Sequence, residues 1–431
     1  MIQKIIKKNS IWHHIAVLSG GTLVSRVLTT VASPFLTRIY TPMDFGVLSI
    51  FSSLLSFMIL ISAFNYESAI PLPVDDNSAL NLLGLSFIIL LTVSIVTFAL
   101  VFLFGRQIVE FFNASILEPF LWLLPLSLIA GGTFEILNNW AVRVKAFASL
   151  AKRRLLQSVC QVITQLGFPF FIQGPVGLLV GDTVGRAGGS TILIRELYSY
   201  FRERMLQFSV PEMICVAKKY KVFPTFGIIS VILHSGFGIL PPLLISRLYG
   251  LHEAGLYSLV IFVYGAALSI IGLSMAQVYM AHASELAHKS PIEMKVLFFK
   301  ISRSALIIGM IPFGLVLIFG SSIFSIVFGI KWVEAGIYSQ ILSLPYFIIF
   351  IVGPVYPTLK ILEKQKLQVY ADTLGIITLI FGMIGAHSIG LNARWSIFAY
   401  GLSIGFTYLL LYVFSFLEIK KYCRGSTSSA N

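Results

Sequence analysis

The sequence predicts an all-α membrane protein of about twelve transmembrane helices, arranged as two six-helix bundles. Three observations carry this expectation. The 431 residues are 57% hydrophobic and 11% charged, against roughly 45–50% and 25% in soluble domains. Apolar runs of about 20 residues, the length that crosses a bilayer, recur along the chain. Lys and Arg gather in alternate segments between these runs. The 34 glycines and 17 prolines fit the same environment, where neighbouring helices re-satisfy an interrupted backbone.

Taken in order, Met1 to His14 carries Lys4, Lys7 and Lys8 ahead of an apolar stretch longer than a signal-peptide core, without a small-residue cleavage site. It therefore reads as the approach to an uncleaved first span. The first bundle is expected to hold spans 15–38, 44–66, 79–105, 116–141, 154–173 and 175–195. Spans 222–246, 253–280, 296–319, 337–359, 368–388 and 395–417 form the second. Between them, Arg202, Glu203, Arg204, Lys218 and Lys219 alternate with Met205, Leu206 and Phe208, the pattern of an amphipathic cytoplasmic connector. The expected domains are thus 1–195, a connector 196–221, 222–418 and a cytoplasmic tail 419–431.

Charge sets the orientation. With an even number of spans both termini share a side. Of the 31 Lys and Arg, 24 fall on that side, five on the other and two, Arg26 and Arg186, within spans. The positive-inside rule then puts both termini in the cytoplasm. The formal net charge of +13 is explained by these loops, and nucleic-acid binding, which needs basic residues clustered on a soluble face, is not expected. The three cysteines, Cys160, Cys215 and Cys423, have neither metal-ligand spacing nor a disulfide framework.

An internal repeat supports the division into halves. Arg38, Tyr40, Gly46 and Ser49 recur as Arg247, Tyr249, Gly255 and Ser258 at a constant offset. Six spans separate the copies, so the halves have the same orientation, as in parallel repeats related by an axis along the membrane normal.

Tyr220, Lys221, Phe223, Pro224, Leu240-Pro241, Tyr249-Gly250 and Ala254-Gly255-Leu256-Tyr257-Ser258-Leu259 resemble the seventh and eighth helices of the Wzx-type polysaccharide flippases. Arg38, Tyr40 and Asp44-Phe45-Gly46 are similar to that family's first external turn. Tyr66-Glu67-Ser68-Ala69-Ile70-Pro71-Leu72-Pro73 is similar to its second-to-third loop. The resemblance implies the multidrug, oligosaccharidyl-lipid and polysaccharide exporter superfamily: two six-helix bundles around a central cavity, alternating access, and no covalent chemistry. It also implies the substrate, an undecaprenyl-diphosphate-linked oligosaccharide turned from the cytoplasmic to the periplasmic leaflet of a bacterial inner membrane during O-antigen or capsule assembly. Membrane lipid, a driving proton or sodium ion and other polysaccharide-assembly proteins are the expected partners.

Charges buried in spans are the candidate site residues, because a charge at a helix centre costs at least about 2.5–3.5 kcal/mol and faces protein or water. A charged, hydroxyl-rich head group cannot be desolvated into hydrocarbon, so a polar path must replace its water. Arg26, flanked by Thr22, Ser25, Thr29 and Thr30, is the leading candidate for the diphosphate, since a guanidinium binds phosphate oxygens in bidentate fashion. A packing role, with Arg26 paired to a neighbouring helix, is the plain alternative. Asp182 and Arg186 share one face of the sixth span. Either they neutralise each other, or Asp182 positions Arg186 toward substrate or titrates as a coupling site. Gly181, Gly185 and Gly189 beside them form a stripe suited to close helix packing.

Glu135 is a lone carboxylate in the fourth span, read either as an ion-coupling group or as one end of an interhelical bond. Asn138, Asn139 and Trp140 offer amides and a ring to sugars, although interfacial anchoring explains Trp140 equally well. Arg38 and Arg247 from the repeat, and His234 and Gln277 in the second half, complete the substrate-contact set; a satisfied core residue is the alternative for His234. Asp372 is expected at the membrane interface. Pro34, Pro241, Pro242, Pro312 and Pro345 are expected to kink helices.

No phosphate-cradling glycine loop, metal-ligand cluster or large external loop accompanies these residues. That argues against an ATP-driven pump and against a membrane-embedded polymerase or glycosyltransferase, and no cofactor or metal is expected. A drug or peptidoglycan-precursor exporter on the same fold remains the nearest rival.

Overall fold

The computed structural model describes residues 2–204 and 208–428, with side chains from Gly20 to Arg424 except at 147, 196, 199–207, 226 and 288. Every described element is helical. The expected spans overlie helical segments, although 44–66 runs past the helix end at Ile61 and 116–141 crosses a turn at 121–122, and the chain is an all-α membrane protein. Eight stretches are long and apolar enough to cross a bilayer by length and composition alone. α1 (Ile2–Ile39), α4 (Leu123–Arg143), α5 (Phe147–Gly167) and α6 (Val176–Arg204) are not among those eight. All four carry charges described below, Arg26, Glu135, Arg153 with Arg154, and Asp182 with Arg186, which lower their hydropathy. The other members of the first half are α2 (Pro42–Ile61), α3 (Asp76–Phe111) and the short α7 (Val210–Lys219). The second half holds α8 (Ile228–Tyr249), α9 (Leu251–Ala267), α10 (Leu273–Lys289), α11 (Pro291–Phe328), α12 (Val333–Val352), α13 (Thr358–Ile361), α14 (Gln365–Ser388) and α15 (Ala393–Ser428). Single π-helical turns, Phe223–Gly227 and Leu268–Gly272, precede α8 and α10.

Internal packing divides the chain into two compact units, Met1–Ile232 and Leu233–Asn431. α7 belongs to the first. It buries Met213 and Val216 over α3, where Gly84 leaves room for Met213 and Phe208. The Asn81 side chain accepts a 2.9 Å bond from the Ser209 amide, and Tyr66 Oη donates to the Ala217 carbonyl. The side chains of Arg202, Glu203 and Arg204, and all of Met205 and Leu206, lie outside the described residues.

In the first unit α1 packs on α5, α5 on α6, α6 on α4 and α4 on α3. The glycine stripe makes the α5–α6 contact. A Cβ on Gly185 would lie 2.9 Å from Gln161 Cβ and 3.0 Å from the Gln157 carbonyl, and Gly181 and Gly189 meet Gln165 and Arg153 in the same way. Small residues let the backbones approach, as membrane helix packing requires. The turn between α1 and α2 is closed by a capping box of Thr41 and Asp44, with Pro42 at the first helical position. Arg143, at the end of α4, holds the α2–α3 segment by donating to the Pro73 carbonyl at 2.6 Å and to Asp76 Oδ1 at 2.9 Å.

The sequence repeat has a structural counterpart. Tyr40 Oη donates to the Gln165 carbonyl of α5 at 2.7 Å. Tyr249 Oη donates to the Leu391 carbonyl, just past α14, at 3.1 Å and shares a bond with Ser396. Each tyrosine thus ties the turn after the first helix of its half to the end of the fifth. In the second copy Gly250 alone links α8 to α9 at φ +93°, a conformation that costs glycine little.

The second unit packs α11 on α12, α14 on α15 and α12 on α15. Its core is rich in tyrosine. Tyr264 stacks on Tyr346 at 4.6 Å and donates to the Ser339 carbonyl, while Tyr346 and Tyr400 share a 3.0 Å hydroxyl bond. Buried phenols are tolerated because each finds a partner. Pro241 and Pro242 in α8, Pro312 in α11 and Pro345 in α12 all lie inside helices, as does Pro34 in α1.

Candidate functional site

The first unit gathers four guanidinium groups and three carboxylates from five elements. Asp182 and Arg186 lie one turn apart on α6, and Arg186 Nε donates to Asp182 Oδ2 at 2.8 Å. The stem of Arg186 runs over Gly131 of α4, where a Cβ would lie 3.9 Å from Arg186 Cδ and would press on Ile59 at 2.5 Å. One turn along α4, Glu135 lies within electrostatic reach of Arg153, Arg186 and Arg154. Arg154 Nη1 donates to Thr22 Oγ1 of α1, and its charge reaches Arg26 one turn further on. Arg26 is half-buried and makes no ion pair with another described residue.

Arg153 is the most deeply placed of these cations. It is 2% exposed, lies over the Phe134 ring and donates through Nη2 to Gln157 Oε1 at 2.8 Å. Its Nε and Nη1 have no hydrogen-bond partner. An unsatisfied buried guanidinium is costly, so this unit holds donor capacity that an anion would use.

Glu67 completes the group. It sits in the single turn Tyr66–Ala69 between α2 and α3, with Oε2 buried and unpartnered. Burial pushes its carboxyl up to about 7, the neighbouring Glu135 carboxylate adds to the rise, and a hydrogen bond from its own backbone opposes it. Asn65, the residue before the turn, holds a left-handed backbone at φ 63°, and its Oδ1 accepts from Ser68 Oγ.

The structure brings Arg26, Glu135, Asp182 and Arg186 into this group and places the other expected residues elsewhere. Asn138 and Asn139 are half-buried on α4, and Asn139 Nδ2 donates back to the Glu135 carbonyl at 3.0 Å. Trp140 is 3% exposed and belongs to the core, so neither a sugar platform nor an interfacial anchor describes it. Arg38 is exposed in the last turn of α1, about 18 Å along the helix from Arg26 at 1.5 Å per residue. Arg247 occupies the matching last turn of α8 and is exposed, as is Gln277 on α10.

His234 on α8 lies 3.4 Å from Asp372 of α14. Asp372, expected at the membrane interface, is 1% exposed, because α14 begins at Gln365 and turns this residue inward against α8 and α15. Arg153 and Arg154 correct the expected start of the fifth span at residue 154. α5 begins at Phe147 and carries both arginines into the helix packing.

A model of the polysaccharide biosynthesis protein family matches residues 35–336. The chain belongs to that family. The matched region includes Glu67, Glu135, Arg153, Arg154, Asp182 and Arg186 and leaves Arg26 just outside. No curated protein is close enough in sequence to count as a relative. Among solved structures, a lipid II flippase, MurJ, in an inward closed conformation is similar, with a TM-score of 0.70, 12% identity and coverage of 95% of this chain and 90% of that one. A multidrug resistance MATE family transporter in an inward-facing conformation gives 0.63, 11%, 94% and 96%. A MOP superfamily transporter from Pyrococcus furiosus gives 0.53, 12%, 95% and 96%. At these identities the likeness shows the fold, which the polysaccharide biosynthesis chain shares over nearly its whole length.

In this family member, sequence reasoning passed over Glu67, Arg153 and Arg154 as site residues. Glu67 was visible within the Tyr66–Pro73 motif, but its proximity to Glu135 comes from the packing of its turn on α4. The Lys152-Arg153-Arg154 run looks like an ordinary positive-inside loop, and nothing local distinguishes it from one.

Proposed function

We propose that the chain is a flippase that turns undecaprenyl-diphosphate-linked oligosaccharide repeat units from the cytoplasmic to the periplasmic leaflet of a bacterial inner membrane. It works by alternating access through twelve spans, with both termini cytoplasmic and an ion gradient as the energy source. The observation that carries this reading is the group of four guanidiniums, Arg26, Arg153, Arg154 and Arg186, inside a unit of a polysaccharide biosynthesis protein, with unused donors on Arg153. A diphosphate is a multiply charged anion whose oxygens match guanidinium geometry. Arg26 and Arg186 take the diphosphate, and Asn138 and Asn139 contact the sugars. Glu135 offsets the mutual repulsion of Arg153, Arg154 and Arg186 when no substrate is present. The family and the shared fold favour transport over a covalent reaction.

A leaflet-resolved assay tests this. Purified protein in proteoliposomes should move a fluorescent polyprenyl-diphosphate disaccharide from one leaflet to the other, at least tenfold faster than protein-free vesicles. Lipid II and a cationic dye serve as competing cargoes. Transport of the dye with no movement of the diphosphate probe would overturn the proposal in favour of a drug exporter, and preference for lipid II would assign it to peptidoglycan precursors.

A further inference from the structure

The second unit holds a buried carboxylate that binding of the diphosphate does not use. Asp372 of α14 is 1% exposed, and its Oδ2 has no hydrogen-bond partner. His234 Nδ1, from α8, lies 3.4 Å from that oxygen and also 3.4 Å from Tyr356 Oη. The imidazole and the Tyr356 ring lie 5.4 Å apart between centroids, and Gln368 Nε2 donates to the same phenol oxygen. The titratable groups facing Asp372 are His234 from α8, Tyr356 from the turn after α12, and Tyr408 from α15. Among the described residues no Lys or Arg pairs with it. A buried carboxylate facing only a histidine and two phenols has no permanent countercharge.

We infer that His234 and Asp372 form a binding site for a single proton. Without it the pair carries one negative charge, on Asp372 beside a neutral imidazole. Uptake of one proton from water brings the pair to net zero, with the proton held between Nδ1 and Oδ2 and no other bond made or broken. The His234 side chain is 42% exposed and is the route by which the proton enters, while Asp372 behind it is closed to water.

The donor set selects a proton over an alkali or divalent cation. Hard cations gather about six or more oxygen ligands, whereas this pocket offers one carboxylate, the phenols of Tyr408 and of Tyr356, the latter already bonded to Gln368, and a ring nitrogen, which is a poor ligand for such ions. Among the described residues no group of three or more His, Cys, Asp or Glu could hold a metal.

The pair sits where its charge can be felt by helix packing. One turn beyond Asp372, Gly375 is in close contact with Phe237 of α8 and Thr407 of α15, so α14 touches both neighbours beside the site. Proton uptake removes a buried charge at the point where three helices meet, which gives the two protonation states different preferred packings. Its role in driving transport rests on the flippase reading; its existence as a proton site does not.

Two measurements test these separately. In pH-difference infrared spectra of the full-length protein in nanodiscs, the wild type should show a protonated-carboxyl stretching band that is absent in Asp372→Asn and altered in His234→Gln. Identical bands in all three proteins overturn the site. In proteoliposomes carrying the fluorescent polyprenyl-diphosphate disaccharide, a pH gradient should drive accumulation by the wild type. Asp372→Asn should lose at least tenfold of that drive yet still equilibrate the probe between leaflets when no gradient is applied. An unchanged response to the pH gradient, or a response to sodium alone, overturns the coupling role. If no protein moves the probe while the infrared band behaves as expected, the flippase reading fails and the proton site stands.

Discussion

Arg186 Nε and Asp182 Oδ2 lie 2.8 Å apart on one face of α6, a pair that crosses no helix boundary. Asp182 therefore neutralises Arg186 locally and fixes the direction of its guanidinium toward α4. Removing one partner of a partly buried pair leaves the other uncompensated, at a cost on the order of 3 kcal/mol when burial is complete and less here. Asp182→Asn should lower the unfolding temperature in detergent while leaving the diphosphate probe bound. Arg186→Ala should lower probe affinity at least tenfold, as read by fluorescence binding. Equal binding in both variants would remove Arg186 from the site.

Arg26 stands on α1 beside Ser25 and Thr29, with no carboxylate paired to it among the described residues. Arg26→Ala should stop surface-polysaccharide display without lowering the protein level, and Arg26→Lys should keep part of the activity, since an ammonium supplies charge but not the two-pronged geometry. Normal display by the alanine variant would place Arg26 outside the mechanism.

Glu67 gives a pH dependence whose sign is determined. Burial raises its folded-state carboxyl to about 7 from the ordinary 4.5, so between these values the folded protein holds a proton there that the unfolded chain has lost. This contribution to stability is fully present below about pH 4.5 and is lost as pH rises through about 7. Glu67→Gln should flatten that decline, raising the unfolding temperature at pH 8 by ~2 °C or more relative to wild type and leaving it nearly unchanged at pH 4. A parallel pH profile in the two proteins would show that Glu67 does not titrate in this window.

Gly185 tests the α5–α6 contact. A Cβ there would meet Gln161 and the Gln157 backbone at about 3 Å, so Gly185→Val should push the helices apart and reduce the membrane-inserted yield several-fold. Gly238, with open space around the position a Cβ would take, should accept alanine with no loss of yield. Similar yields for both substitutions would contradict the close approach.

At the far end of the scale is the pair of Arg394 and Glu334, bonded at 2.7 and 2.8 Å but largely exposed. Arg394→Ala should cost no more than about 1 kcal/mol, since exposed ion pairs contribute little. A thermal-shift loss as large as that of Asp182→Asn would show that this end of the second unit is less solvated than its exposure indicates.

Much of the architecture was legible in the chain itself. Apolar run length and the segregation of Lys and Arg mark helices one after another, because lipid imposes the same demand on every span regardless of its neighbours. Arg26, Glu135, Asp182 and Arg186 stood out as candidate residues for the same reason: a charge inside an apolar run is conspicuous in one dimension. The Tyr40 and Tyr249 repeat was legible too, although its purpose, a bond to the end of the fifth helix of each half, was not.

What only the tertiary structure decided is which charges meet. Arg153 and Arg154 look like loop residues until α5 is seen to begin at Phe147, and Glu67 looks like part of a polar turn until that turn packs against α4. Asp372 has no visible partner until α14 turns it toward His234, far away in sequence. Burial along a single helix is a local property that composition encodes. The meeting of side chains from five helices depends on rotation and register between them, which are set by close packing at residues such as Gly185 and Gly375 and leave no periodic trace in the sequence.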